Sequence, residues 1–180
     1  MANFRARGYR ACTIEEIAEK AGVFKGSFYN HFTSKEALAV ESVRAYVSLA
    51  VGLVSLEGPS SPLARLREHF EILSAIAGKA RYEEGCLLAN FSAETTDETP
   101  DLRAALVEGV EQWCRAIAEV IRQAQITGEL GKQMKADALA RMLANAWEGA
   151  SIRSKAMRSR QPLDEFLKFY FEELLAWIPK

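Results

Sequence analysis

Residues 15–38 read EEIAEKAGVFKGSFYNHFTSKEAL: two short amphipathic segments on either side of a glycine, the second crowded with Lys, Gly, Ser, Tyr, Asn and His. A tight turn at Gly22-Val23 between two helical patterns predicts a helix-turn-helix. Just upstream, Thr13-Ile14-Glu15-Glu16 has the spacing of a capping box, in which the Thr hydroxyl and the Glu carboxylate satisfy free amide donors at a helix start. Ile14, Ile17, Ala18 and Ala21 make the apolar stripe of that helix, and Gly22 can take the left-handed conformation that ends it. The second helix is expected over 24–32, where Phe28 and Phe32 stand four apart and anchor it to a core. Thr33-Ser34-Lys35-Glu36 reads as another capping box, opening a helix over about 34–56 that the breaker EGPSSP closes.

Helical periodicity continues beyond it. Helices are expected over about 63–80, 86–94, 102–126, 135–157 and 162–178. In the long third of these, Leu102, Leu106, Val110, Trp113, Ile117 and Ile121 share a face; in the next, Leu139, Leu143, Trp147, Ser151 and Lys155 do so. The last carries Leu163, Phe166, Leu167, Tyr170, Leu174 and Trp177, while Phe169, Phe171, Leu175 and Ile178 widen its apolar face, which predicts burial on more than one side. Prolines fall at loops and chain ends, and no β-branched run alternates with period two. The expectation is an all-α protein.

With 180 residues, 49% of them hydrophobic, the chain can bury a core of one or two domains. No segment approaches the roughly 18 apolar residues of a membrane span, and the start MANFRARGYRA lacks the apolar region of a signal peptide, so a cytoplasmic location and no membrane partner are expected. Three cysteines, Cys12, Cys86 and Cys114, form no CxxC pair and are read as reduced thiols. The net charge is -1, unevenly placed: residues 1–44 hold seven Lys or Arg against five Glu, a local excess of +2 that agrees with an N-terminal DNA contact.

Residues 8–44 resemble the DNA-binding domain of the TetR family of bacterial transcription regulators, through Gly8-Tyr9, Thr13, Ile17-Ala18, Ala21-Gly22-Val23, Lys25-Gly26, Tyr29, His31-Phe32 and Lys35-Glu36 in that order. The resemblance implies an N-terminal three-helix DNA-binding domain over 1–44 and an effector-binding and dimerisation domain over 45–180. It makes the second short helix a recognition helix for the major groove of double-stranded operator DNA. Lys25 suits a phosphate or a guanine edge, Gly26 clears room for the DNA backbone, and Ser27 and Asn30 can hydrogen-bond base edges or phosphates. Tyr29, His31 and Lys35 resemble the family's phosphate-contacting positions, and Thr13 joins the expected DNA-binding set. Two features depart from the pattern. Phe24 stands where the family usually has Ser or Thr, losing a side-chain cap worth about 1 kcal/mol. Only MANFRAR precedes Gly8 where the family has a whole amphipathic helix, so the first helix is expected to be truncated. The last two helices are expected to pair two chains across a twofold axis, as a palindromic operator requires.

The segment GCLLANFSAE followed by the acidic loop TTDETPD resembles a TetR subgroup that responds to reactive electrophiles such as unsaturated carbonyl compounds, quinones or aldehydes. Cys86 follows Gly85 at a helix start, where thiolate is favoured. The expectation is a sensor thiol at Cys86, Lys155 as its activating cation, and Asn90, Trp113 and Trp147 as pocket walls. The plainer reading makes Cys86 a small buried apolar residue and Lys155 a snorkelling side chain at a helix C-terminus. Cys114 beside Trp113 reads as packing or interface, and His69 beside Phe70 as structural.

The competing class is a helical ligand-binding or thiol-reactive protein that has lost DNA binding. Against an enzyme, the histidines are His31 and His69 alone, and there is no HExxH, paired-carboxylate, Cys/His or Gly-rich phosphate signature. No metal and no cofactor is expected. The operator sequence, the effector and the sign of regulation are not written in these residues, although repression is the usual mode of the family the chain resembles.

Overall fold

Thr13 opens its helix as the spacing predicts: its hydroxyl accepts the Glu16 N–H at 3.2 Å, and the Glu16 carboxylate accepts the Thr13 N–H at 3.0 Å. The structure, a computed structural model, describes residues 1–175, so the expectations for Trp177 and Ile178 lie outside the described residues. Its helices are α1 (Ala2–Arg7), α2 (Ile14–Lys20), α3 (Lys25–Tyr29), α4 (Lys35–Gly52), α5 (Pro62–Lys79), α6 (Leu87–Ser92), α7 (Pro100–Ile126), α8 (Ala136–Met157) and α9 (Gln161–Lys168). A π-helical stretch, Phe169–Leu174, continues α9. No strand occurs among the described residues.

Two local expectations need correction. α4 is capped by Ser34, whose hydroxyl accepts the Ala37 N–H at 3.0 Å, and Thr33 takes no part. Glu36, expected to close that box, reaches across the molecule and accepts the Leu102 N–H at 3.0 Å, supplying a free amide at the start of α7 with the cap that Thr99 does not provide. α4 ends at Gly52 rather than near Leu56. The carbonyls beyond its end are gathered by the buried Arg65, whose guanidinium donates to Ser55, Leu56 and Ser60 and to the Gln123 side chain. The segment MANFRAR forms the short helix α1, with Phe4 buried against Tyr9 and Phe91.

The core lies where α4, α5, α6 and α8 pack around α7, and α9 closes one side over α8. Leu66, Phe70, Leu87, Leu88, Leu102, Trp113, Ile117, Ile121 and Leu139 are fully enclosed there. α4 and α7 approach closely at Gly109: a Cβ on that residue would stand 2.7 Å from Val47 Cγ2 and 3.5 Å from Val43 Cγ1. The widened apolar face of the last helix has a backbone basis in the π-helical stretch. Wider winding lets both Tyr170 and Phe171 pack on the core through Phe166, leaving Phe169 outside.

Candidate DNA-reading helix and effector cavity

The α2–turn–α3 unit is built so that its outer face stays polar and its inner face holds it down. Gly22 sits at φ +69°, the left-handed geometry that the turn requires. Phe28 is buried beneath α3 and contacts the Phe32 and Tyr29 rings at 5.5 and 5.3 Å between centroids. With that anchor in place, Lys25, Gly26, Tyr29, Asn30 and His31 are exposed together, and Ser27 is half-buried. Lys25 forms an ion pair with Glu15 of α2, so in the free protein its ammonium is already engaged. Thr13 has both hydroxyl and amide committed to its capping box.

Lys35 is placed differently from a freely reaching phosphate contact. Its Nζ donates to the Tyr9 and Cys12 carbonyls at 3.1 and 3.0 Å and lies 4.4 Å from the Tyr9 ring centroid. An ammonium has three donors, so one remains for a phosphate. Its first task is to hold the loop before α2 onto the start of α4.

A cavity of about 60 Å³ opens between α1, α4, α5 and α8, with Arg5, Tyr46, Leu73, Cys86, Trp147 and Lys155 in its wall. A void of about 10 Å³ continues behind Tyr46, Cys86 and Trp147 as far as Trp113. Cys86 is the N-cap of α6 and almost wholly buried. Burial pushes its thiol up from the ordinary value, and the nearby Glu148 charge adds to this. The Ala89 and Leu88 amides and the Tyr46 hydroxyl pull the other way without overcoming it. The resting arrangement thus opposes the thiolate expected at this helix start rather than favouring it.

Nor does Lys155 pair with the sulfur. Its Nζ donates to the Arg5 carbonyl at 3.1 Å, and burial lowers its pKa. Asn90 turns away from the cavity as well: its amide donates to the carbonyls of Arg5 and Glu84, both at 2.9 Å. Trp113 seals the inner end, its indole N–H donating to His69 Nε2 at 3.0 Å. That hydrogen bond makes Nε2 an acceptor, and burial lowers the His69 pKa to about 4, so the ring is neutral. Of the five residues expected at an effector site, the structure brings Cys86, Trp147 and Lys155 to the main cavity, Trp113 to the void behind it, and Asn90 to a structural post beside it.

Sequence reasoning missed Tyr46 and Arg5. Tyr46 had a signal, since it lies on α4 beside the buried Val43, Val47 and Ala50. Arg5 had none: its ion pair with Glu84 at 2.8 Å and its hydrogen bond to the Gly85 carbonyl at 3.1 Å join residues about eighty positions apart. Glu94 was also missed as a tether. Its carboxylate accepts the Arg10 N–H at 2.7 Å. Among the described residues, no cluster of three His, Cys, Asp or Glu could hold a metal ion, and no helix is long and apolar enough to cross a membrane.

Residues 1–41 match the family described as "Bacterial regulatory proteins, tetR family", and residues 62–170 match "Tetracyclin repressor-like, C-terminal domain". The chain is a member of the TetR family. It is 38% identical to the HTH-type transcriptional repressor DhaR of Mycobacterium sp. strain GP1, over 96% of this chain and 86% of that protein. A crystal structure of a TetR regulatory protein from Rhodobacter sphaeroides superposes with a TM-score of 0.89 at 32% identity, covering 95% of this chain and 93% of that one. The reduced form of Escherichia coli NemR superposes with a TM-score of 0.76 at 26% identity, covering 91% and 86%. Members of this family bind operator DNA and dimerise, and these relatives are transcription regulators, not enzymes. The all-α helix-turn-helix expectation stands, and this chain is a DNA-binding transcriptional regulator. The enzyme reading is set aside.

Proposed function

We propose that this chain is a homodimeric repressor, acting in the cytoplasm, whose release from operator DNA is controlled by a small molecule or reactive electrophile in the Cys86 cavity. The observation that carries this reading is the mixed ownership of the cavity wall. Arg5 belongs to the helix that buries Phe4 beneath the DNA-binding domain, whereas Cys86 and Lys155 belong to the other domain. The Arg5 carbonyl is held by Lys155 and Asn90, and its guanidinium by Glu84. An occupant that displaces Lys155 or enlarges the space beside Cys86 alters the seat of α1. A ligand shifts the balance between DNA-competent and DNA-incompetent states only by its difference in affinity for the two.

Cys86 supplies the covalent version of this control. With an unsaturated carbonyl compound, a bond forms between Sγ and the β-carbon, the alkene electron pair moves to the α-carbon and carbonyl oxygen, and the thiol proton ends on the α-carbon. No oxidant is needed. Lys155 lines the same wall, and an ammonium donor left over from its bond to the Arg5 carbonyl would stabilise the carbonyl oxygen as charge develops on it.

For DNA contact, Lys25, Gly26, Ser27, Tyr29, Asn30 and His31 form the face presented by α3, with Lys35 and Thr13 supporting it. For dimerisation, α8 offers Met142, Asn145, Gly149 and Ile152 along one exposed face, and Phe169 adds an exposed ring after α9. Such a face suits a second copy across a twofold axis.

The test is a titration of labelled DNA from the region upstream of the gene, at two salt concentrations, with and without a thiol-reactive electrophile, using the wild type and Cys86→Ser. Tight, salt-sensitive binding that the electrophile abolishes in the wild type and leaves intact in Cys86→Ser is the expected result. Normal release of Cys86→Ser by the electrophile would overturn the thiol mechanism. Binding by both proteins that no electrophile alters would point to a reversible ligand.

A further inference from the structure

Phe24 is 88% exposed, more than any other large hydrophobic side chain among the described residues. It occupies the N-cap of α3 with extended backbone, φ -70° and ψ 148°, and makes no side-chain hydrogen bond there. A Ser or Thr would satisfy a helix amide at this position and stabilise the helix. Neither packing nor capping explains a phenyl ring here.

Its neighbours indicate what it faces. Lys25, Gly26 and Tyr29 are exposed on the same short helix and Asn30 and His31 just after it, and a Cβ at Gly26 would meet nothing within 4 Å, so the surface around the ring is open. Residues at the start of a recognition helix are those that reach base edges in the major groove. A phenyl ring carries no hydrogen-bond donor or strong acceptor, so it cannot read the polar pattern of that groove. The apolar feature displayed there is the C5-methyl group of thymine.

We propose that Phe24 packs on a thymine methyl, so that each operator half-site carries thymine at one fixed position. The inference rests on the DNA-binding reading above. It makes Phe24 a specificity residue and gives a reason for the lost cap: apolar contact with one base replaces a local hydrogen bond.

The test begins with selection of binding sites by the full chain from a random duplex library. Each thymine of the selected half-site is then replaced by deoxyuridine, which keeps every hydrogen-bonding edge and removes only the methyl. One position per half-site is expected to lose about 3- to 10-fold in affinity, the scale of one buried methyl contact or slightly more. Phe24→Ala and Phe24→Ser should bind the thymine and deoxyuridine sites equally; the melting temperature should not change in Phe24→Ala, because the ring touches no core, and should not fall in Phe24→Ser, which restores the cap. Wild-type protein indifferent to deoxyuridine at every position overturns the proposal, as does a Phe24→Ser protein that keeps the wild-type ratio. Concentration-dependent self-association that Phe24→Ser removes, without any thymine preference in the wild type, would assign the ring to a second copy and overturn it too. Failure to select any site would instead overturn the DNA-binding reading itself, which separates the two outcomes.

Discussion

The carboxylate of Glu94, at the end of α6, accepts the backbone N–H of Arg10 in the loop before α2, at 2.7 Å. Glu36, on α4, accepts the Leu102 N–H at the start of α7, at 3.0 Å. These are carboxylate-to-amide struts joining the N-terminal helices to the rest of the chain, one reaching forward in sequence and the other back. Between them Arg5 is held by Glu84, Gly85, Asn90 and Lys155. A displacement at the cavity therefore meets three fixed points on the DNA-binding unit rather than one flexible link.

Glu94→Gln tests the first strut. The change keeps the size of the side chain and removes the charge that strengthens the hydrogen bond. A loss of about 0.5–1.5 kcal/mol is expected for a half-exposed site of this kind. Hydrogen exchange gives the sharper readout: the Arg10 amide should exchange faster in the variant while amides in α7 do not change. Unaltered protection at Arg10 would remove the strut from the account.

Gly109 sets how closely α4 and α7 approach. Ala would gain about 1 kcal/mol in helix propensity, but its Cβ would stand 2.7 Å from Val47 Cγ2, inside any tolerable contact. Overpacking of this kind costs about 1–3 kcal/mol, so Gly109→Ala should lower stability in urea by up to about 2 kcal/mol. Val47→Ala removes the colliding methyl groups, and the double variant should be more stable than the sum of the single changes implies. Simple additivity would mean that α4 moves away without strain.

His69 ties acid stability to the cavity's inner wall. Its folded pKa is lowered to about 4 by burial, below its unfolded value near 6.5. Between these pH values the unfolded chain binds a proton that the folded protein does not. The contribution is therefore fully present above about pH 6.5 and is lost as pH falls through 4, on the order of 3 kcal/mol in total. Unfolding free energies of the wild type at pH 7 and pH 4.5 should differ more than those of His69→Gln, which keeps an acceptor for Trp113 and does not titrate. Equal slopes would show that the ring is protonated in the folded protein.

How far the sequence reaches depends on the range of each interaction. The Thr13 box, the Gly22 turn and the Phe28 anchor are local, and their spacing alone declares them. The long stripe from Leu102 to Ile121 is equally legible, because a buried helix face repeats the same signal several times. Glu36 shows where this fails. Its spacing from Thr33 fits a capping box, yet its carboxylate serves an amide 66 positions away. Lys155 fails for the same reason: its place on the stripe predicted cavity exposure, but not the Arg5 carbonyl that holds the ammonium. A carboxylate or ammonium on a flexible stem satisfies whichever partner folding brings nearest, and that partner leaves no local pattern.

The three thiols provide the last prediction. Burial raises the pKa of Cys12 and Cys86, and Cys114 is pushed up to about 11 by burial and by Glu111 and Glu148. Iodoacetamide needs the thiolate, so at pH 7.5 all three should label more slowly in the native protein than in urea. Labelling of Cys86 should rise as pH increases beyond the ordinary thiol value near 8.5. Electrophiles small enough for the cavity should instead modify Cys86 with saturating kinetics, because binding precedes the bond. Lys155→Met separates two roles for the ammonium. Since Lys155 is held on the Arg5 carbonyl in the resting protein, the iodoacetamide pH profile of Cys86 should be unchanged, while modification by an unsaturated carbonyl compound slows. A profile displaced to higher pH in Lys155→Met would show that Lys155 stabilises the thiolate before any effector arrives. Mass-spectrometric mapping of the labelled cysteine at each pH reads both outcomes.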